Sequence, residues 1–556
     1  MVVIACSYLL AASSSIIVST TAGPVLGQAE MTTQGGIVNA FRGVPFAAST
    51  AGPNRWKPPQ LPKPWTSPYN ATVNGLGCYQ PHHNADVPCG GDKKCQSEDC
   101  LNLNVYCPEG ASGLPVFFWI YGGAFDEGMN WGPVNLYYGL EIAHRGGVCV
   151  VAPNYRLGVL GYLVTDEHKG NQGIQDQRAA MQWTQQNIAN FGGDPSKVTI
   201  IGQSAGAMSV SIHLVSPASA GLFRAAIMMS NVAAFRYQDA SAQKVTFGTK
   251  FASLAGCGSV ANISCLRGLS ADQAVTLGEK ASSAVGEAII DRILAGGYVE
   301  DAFAMQWAPV VDEDELPAQP LKLFATQAFH KVPVLLGTAQ DEGATFIYAG
   351  VKFPLPESLY PLLMDAIFLE DATKVIAYYA NVSSAWKDAR DSLSYVLTDF
   401  WFKCSSSSIA LAVRKAGMDA WVYRFDHVYS DGLKSIFEQF GLPAVCATRV
   451  CHASDVPFVF HNFANFTPSA DEVDLSDQML AYWTNFVKHG NVNGDASAQG
   501  ARGPSLMPWP VFDESTRLDM RLHIPTEVES TLTGQPGALP TLGVCRFFDS
   551  QVGYDH

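Results

Sequence analysis

Positive charge is scarce in this chain. Its 35 lysines and arginines face 50 aspartates and glutamates, a formal charge of -15 over 556 residues. Nucleic acid and anionic membrane surfaces would repel such a chain at long range, and no basic patch offsets the excess, so neither is expected as a partner. Long apolar runs are missing as well. No stretch reaches the ~18 to 20 residues that a membrane-spanning helix requires, and the C-terminal VCRFFDSQVGYDH has no hydrophobic tail of the kind lipid-anchored precursors carry. No integral membrane anchor is therefore expected. Gly/Ser linkers, internal repeats and breaks in composition are absent too, which favours one large domain, and 47% hydrophobic residues suffice for its core.

The amino terminus and the cysteines point to export. MVVIACSYLLAA is a short apolar run that ends in small residues, AASSS, and residues 1-15 read as a secretory signal although no positive charge precedes the run. Thirteen cysteines are many for a reducing compartment, and removal of a signal containing Cys6 leaves an even twelve that disulfides could consume. Asn70, Asn262, Asn381 and Asn465 lie in N-x-S/T acceptor sequences, usable on a secreted glycoprotein.

Short strand-like pieces (IIVST, GPVLGQAE, GIVNAFRGVPFA) come first, then a proline-rich connection over 53-68. The apolar runs then lengthen to LNLNVY, PVFFWIYG, VCVVAPNY and VTIIG, later joined by VPVLLGTAQ and AWVYRFDHV. Near-continuous runs of this kind predict strands covered on both faces. QDQRAAMQWTQQNIAN has helical spacing, and Gly192, Gly193 and Pro195 stop it. Strands alternating with helices predict an α/β fold built on a mostly parallel sheet flanked by helices. From Val232 to His330 the pattern is mixed and mostly helical.

The stretch KVTIIGQSAGAMSV interrupts a strand with Gly202-Gln203-Ser204-Ala205-Gly206. A glycine pair around serine permits a sharp strand-to-helix turn that exposes the hydroxyl and aims the amide of Ala205 at a developing oxyanion. The plain alternative is a turn with a capping serine. Tyr121-Gly122-Gly123-Ala124-Phe125, after PVFFWI, offers further backbone donors, or merely a turn. A serine nucleophile needs a base, and the base needs an acid to orient it. Six histidines lie far enough beyond Ser204: His427, His452, His461, His489, His523 and His556. His452 is favoured because Cys446 and Cys451 could clamp its loop. Asp341 and Glu342 of GTAQDEG, just after a strand, are the acid candidates.

FRGVPFA, SEDCLNLNVYCP, WIYGGAF, NYRLGVLGYL, GNQGIQDQRAAMQWTQQNIANFGGDPSKVTIIGQSAGAMS, FRAAIMMS, GTAQDEGATF and CHASDVPFVF together resemble the type B carboxylesterase family, which includes cholinesterases and several lipases. The likeness covers nearly all of the chain beyond Ile16 and implies an α/β-hydrolase fold in a single large domain over 16-556. It implies Ser204 as acyl nucleophile, Glu342 as acid and His452 as base. The amides of Gly123, Ala124 and Ala205 would form the oxyanion hole, with Gln203 and Ser230 behind the reacting groups. Where the family usually carries a third glycine this chain has Ala124, and Gln203 stands where cholinesterases carry glutamate. The resemblance also implies disulfides Cys78-Cys100, Cys257-Cys265 and Cys404-Cys545, leaving Cys89 with Cys95, Cys446 with Cys451 and Cys107 with Cys149, and structural ion pairs Arg55-Glu98 and Arg156-Asp176.

The implied reaction is ester cleavage through an acyl-enzyme, with no metal and no cofactor, on a small-molecule or lipid ester. The loop between Cys78 and Cys100, the family's cap, contains no tryptophan to bind a quaternary ammonium, which points away from choline esters. Its few apolar residues (Tyr79, Ala85, Val87) favour a generic carboxylesterase over a triacylglycerol lipase. A non-catalytic adhesion or storage protein of the same fold is the rival from another class, and three filled triad positions count against it.

Overall fold

A computed structural model of the chain describes residues 15-81, 95-132, 135-294, 305-383, 388-439, 441-494, 506-530 and 542-554. In chain order the strands are β1 (Ser15–Ser19), β2 (Pro24–Met31), β3 (Ile37–Pro45), β4 (Tyr69–Asn70), β5 (Gly77–Cys78), β6 (Gln96–Ser97) and β7 (Asn102–Pro108). They continue with β8 (Leu114–Ile120), β9 (Cys149–Pro153), β10 (Gly193–Gln203), β11 (Ala225–Met229), β12 (Val334–Ala339), β13 (Ala420–Phe425), β14 (Leu518–Leu522) and β15 (Glu527–Ser530). One large sheet runs β1-β2-β3-β7-β9-β8-β10-β11-β12-β13-β14-β15, with β4 beside β2.

From β9 through β14 every neighbouring pair is parallel. The connections there are long and carry helices, which is what parallel pairing demands. The expected mostly parallel α/β-hydrolase sheet is thus present at its centre. The amino-terminal side differs: β1-β2, β2-β3, β3-β7 and β7-β9 are antiparallel, as is β14-β15 at the far edge. Short turns join β1 to β2 and β2 to β3, such as the reciprocal Thr20-Gly23 backbone bonds, and a short turn can only return the chain antiparallel.

The central strands carry long apolar buried runs because both faces are covered, although β10 begins with the polar, partly exposed Asp194, Ser196 and Lys197. β11 is buried at every residue, and Trp119 and Phe117 of β8 receive the edge of Phe460 with ring centres 4.9 and 6.0 Å away. The helices Gln172–Asn187, Ala205–Val215 and Ala470–His489 pack on this centre. A smaller core, built from Tyr360, Met364, Phe368, Val375, Tyr379 and Phe400, meets the carboxy-terminal Phe547 and Phe548. The segment Thr398–Cys404 joins that core to the site, since it places Phe400 in the small core and Phe402 beside His452.

Candidate active site

β10 ends at Gln203 and a helix begins at Ala205, so Ser204 alone makes the turn. Its φ of 56° and ψ of -126° are costly for a residue with a side chain and persist only where the surroundings impose them. Here they do. The Ser204 N–H donates to the Met229 carbonyl at 2.9 Å. A Cβ at Gly202 would strike the carbonyl of Gly206, and one at Gly206 the carbonyl of Ile120, and neither obstacle is a side chain that can move aside. The sequence motif is therefore a steric requirement of the turn.

Glu342 opens the helix Glu342–Gly350 directly after β12 and is fully buried. Its Oε2 lies 2.5 Å from Nδ1 of His452, and its Oε1 accepts the Ala339 N–H at 2.7 Å. Asp341, the competing acid, turns elsewhere: its Oδ2 accepts the Val450 N–H at 3.1 Å while its own N–H donates to Val450 O at 2.9 Å. The His452 N–H in turn donates to Thr345 Oγ1 at 3.1 Å. The loop holding His452 is thus latched to the first turn of the helix that holds Glu342. Phe346 and Phe402 flank the imidazole, with ring centres at 5.0 and 5.5 Å. The other histidines have separate engagements: His427 with Glu472, His461 with Ser476 and His523 with Glu527. His556 lies outside the described residues.

Two expectations are modified. Among the described residues the Ser204 hydroxyl forms no hydrogen bond, and Nε2 of His452 instead lies 3.1 Å from the amide nitrogen of Gln203. Ser230 Oγ, expected behind the reacting groups, is buried and makes no hydrogen bond to Glu342.

Gly123 and Ala124 both adopt positive φ, 117° and 54°. A Cβ at Gly123 would strike the Glu127 carbonyl, and that carbonyl belongs to the same tight turn, closed by the Asp126 and Glu127 N–H groups on Gly123 O at 2.9 and 3.0 Å. Among the described residues none of the amides of Gly123, Ala124 and Ala205 finds an acceptor within the chain. Three unspent donors near a strained serine can receive negative charge.

The Carboxylesterase family profile matches residues 14-536. The chain belongs to this family. It is 32% identical to a protein named "Crystal protein" of Dictyostelium discoideum, over 92% of this chain and 87% of that one. It is 34% identical to the acylcarnitine hydrolase of Mus musculus, over 86% and 82%. Among solved structures a thermophilic PNB esterase superposes with a TM-score of 0.74 at 29% identity, covering 93% of this chain and 98% of that one. This carboxylesterase is a carboxylic ester hydrolase with the α/β-hydrolase fold.

Near Glu342 of this carboxylesterase sits a group that residue patterns did not reveal. Asp455, three residues after His452, is fully buried, and burial raises its carboxyl to about 6; the hydrogen bond from the Tyr423 hydroxyl at 2.6 Å opposes the rise and the charge of Glu342 adds to it. Nothing in HASD distinguishes it from a surface aspartate. Disulfides join Cys78-Cys100, Cys107-Cys149, Cys257-Cys265, Cys404-Cys545 and Cys446-Cys451, with Cα separations of 4.4 to 5.7 Å. Cys95 is disulfide-bonded, and Cys89 lies outside the described residues. Arg55 pairs with Glu98 and Arg156 with Asp176, each through two short hydrogen bonds of 2.6 to 2.7 Å. Among the described residues no group of three or more potential ligands is arranged to hold a metal, and no helix is long and apolar enough to cross a membrane.

Proposed function

We propose that Ser204, His452 and Glu342 form the catalytic triad of this carboxylesterase and that the amides of Gly123, Ala124 and Ala205 form its oxyanion hole. The observation that carries this reading is the 2.5 Å contact between Glu342 and Nδ1 of His452 beside a strained serine whose neighbouring amides have no other acceptor. The carboxylate keeps the proton on Nδ1 and leaves Nε2 with its lone pair to act as base. As Ser204 Oγ attacks the ester carbonyl, its proton passes to Nε2, and the three amides hold the oxygen that gains the charge. The imidazolium then protonates the departing alcohol. Water, deprotonated by the same nitrogen, releases the acid and restores the serine.

Small, soluble esters fit this reading better than triglyceride at an interface, because the cap sequence is polar where a mobile lipase lid is apolar. Its middle, 82-94, lies outside the described residues. Secretion is part of the same proposal, supported by five disulfides and by acceptor asparagines at 70, 262 and 465 that are exposed.

The test is Ser204→Ala with p-nitrophenyl acetate and a long-chain triglyceride emulsion as substrates. The variant should lose at least about a thousandfold in kcat while folding normally. Hydrolysis retained by the variant would place the nucleophile at another residue, a wild type that hydrolyses neither substrate and is not labelled at Ser204 would favour the binding or storage class, and a sharp rise in wild-type rate on forming the emulsion would favour a lipase.

A further inference from the structure

We propose that Gln203 is a positioning residue that holds His452 in the resting enzyme, by donating an amide N–H to the same Nε2 that must later take the proton of Ser204. This rests on the triad reading above. Its geometry follows from three contacts. Glu342 accepts from Nδ1 at 2.5 Å, so in the neutral ring the proton sits on Nδ1 and Nε2 offers a lone pair. The Gln203 Nε2 atom, a donor only, lies 3.1 Å from that lone pair. On its other side Gln203 packs so closely against the oxyanion loop that a Cβ at Gly122 would come within 2.9 Å of its Oε1 and 2.6 Å of its main-chain oxygen. Glycine at 122 is thus what makes room for the amide, which is 96% withdrawn from solvent with the rest of its residue, at 4% exposure.

An N–H facing Nε2 has a charge preference. It stabilises the ring while Nε2 carries a lone pair and opposes the ring once Nε2 carries a proton, since two donors then face each other. A glutamate at 203, the residue of the cholinesterase pattern, would reverse that preference. Two buried carboxylates act on the ring, Glu342 from the helix Glu342–Gly350 through Nδ1 and Asp455, three residues after His452, through its charge; Phe346 and Phe402 close the flanks with uncharged rings. Gln203 is therefore the group of opposite tendency, a donor that favours the lone pair on Nε2. Catalysis exchanges one hydrogen bond for another: Ser204 O–H replaces the Gln203 N–H at Nε2 before the proton moves.

The experiment compares wild type, Gln203→Met and Gln203→Glu, side chains of similar length, in kcat/KM for p-nitrophenyl acetate from pH 5 to 9. The acid limb of Q203M should move to higher pH by roughly half a unit to one unit, the worth of one neutral hydrogen bond, and that of Q203E should move further in the same direction. A readout in pH rather than rate separates this role from a merely structural one. Coincident limbs in all three proteins, or a shift of Q203M to lower pH, would overturn the proposal. Fluorophosphonate labelling of the same preparations distinguishes the two failures: labelling at Ser204 with coincident limbs removes only the role of Gln203, whereas a wild type unlabelled at Ser204 removes the triad reading itself. If Q203M does not fold, Q203E against wild type decides alone, by the presence or absence of its upward shift.

Discussion

The turn at Ser204 and the loop at His452 meet at one site but are built differently. Ser204 is held largely by its neighbours in sequence: Gly202 and Gly206 are the residues whose missing side chains allow the turn, and the Met229 carbonyl of the adjoining strand accepts its N–H. His452 is held by groups more than a hundred residues away, Asp341, Glu342 and Thr345, and by the Cys446-Cys451 bridge. The Ser204 turn is thus set largely by glycines within its own five residues, and His452 mainly by contacts with distant segments. Damage to those contacts should misplace His452 while leaving the serine turn intact.

The largest such effect is expected from Glu342→Gln. It removes the charge that orients Nδ1 and stabilises the imidazolium, so kcat should fall by about a thousandfold to ten-thousandfold, with KM nearly unchanged. Steady-state kinetics with a circular dichroism control measures it; a loss under tenfold would mean that the carboxylate does not act through His452.

Removing the bridge, as Cys446→Ala with Cys451→Ala, should cost about 2 kcal/mol of stability for so short a loop. We expect roughly a tenfold fall in kcat/KM as well, because the remaining latch bonds are each worth only about 1 kcal/mol. Denaturant unfolding and kinetics on one preparation would show both. Full activity in the double variant would place the control of His452 in the helix latch alone.

The buried acid gives a smaller effect with a definite sign. Asp455 is raised from near 3.8 to about 6, so between about pH 4 and 6 the folded chain binds more protons than the unfolded one. Its contribution to stability therefore falls as pH rises through that window, and the penalty is complete above about 6. Asp455→Asn should remove the penalty and narrow the stability difference between pH 5 and pH 7.5 by about 1 to 2 kcal/mol, measured by urea unfolding at both pH values. An unchanged difference would mean that Asp455 is ionised throughout.

Thr345→Val is the mildest cut. It deletes one neutral hydrogen bond to the His452 N–H, and about 1 kcal/mol and a few-fold drop in kcat/KM are expected.

The same contrast governs what the amino-acid sequence discloses. The serine turn is legible because its rule spans five residues, and the central strands because burial on both faces leaves an unbroken apolar run. The antiparallel side is harder to read, since β1 has five residues and none of them buried, and β2 is only partly buried, so neither leaves an unbroken apolar run. Among the residues alone, six histidines qualify and only the cysteines flanking His452 favour it. What separates His452 is the partner at Nδ1, and a hydrogen bond across 110 positions leaves no local trace. Asp341 and Glu342 are adjacent acids whose roles diverge only because one faces Val450 and the other His452. Family resemblance supplied that choice. It did not supply the contact of Gln203 with Nε2 or the raised carboxyl of Asp455, which depend on side-chain placement in this chain.

The most direct measurement is the site of covalent capture by a fluorophosphonate ester. Native protein treated with the probe and digested should carry a single adduct on the peptide containing Gln203-Ser204-Ala205, and His452→Ala should slow its formation by a hundredfold or more, on the order of the acceleration a general base supplies. An adduct elsewhere, or equal rates in the two proteins, would contradict a serine activated by His452.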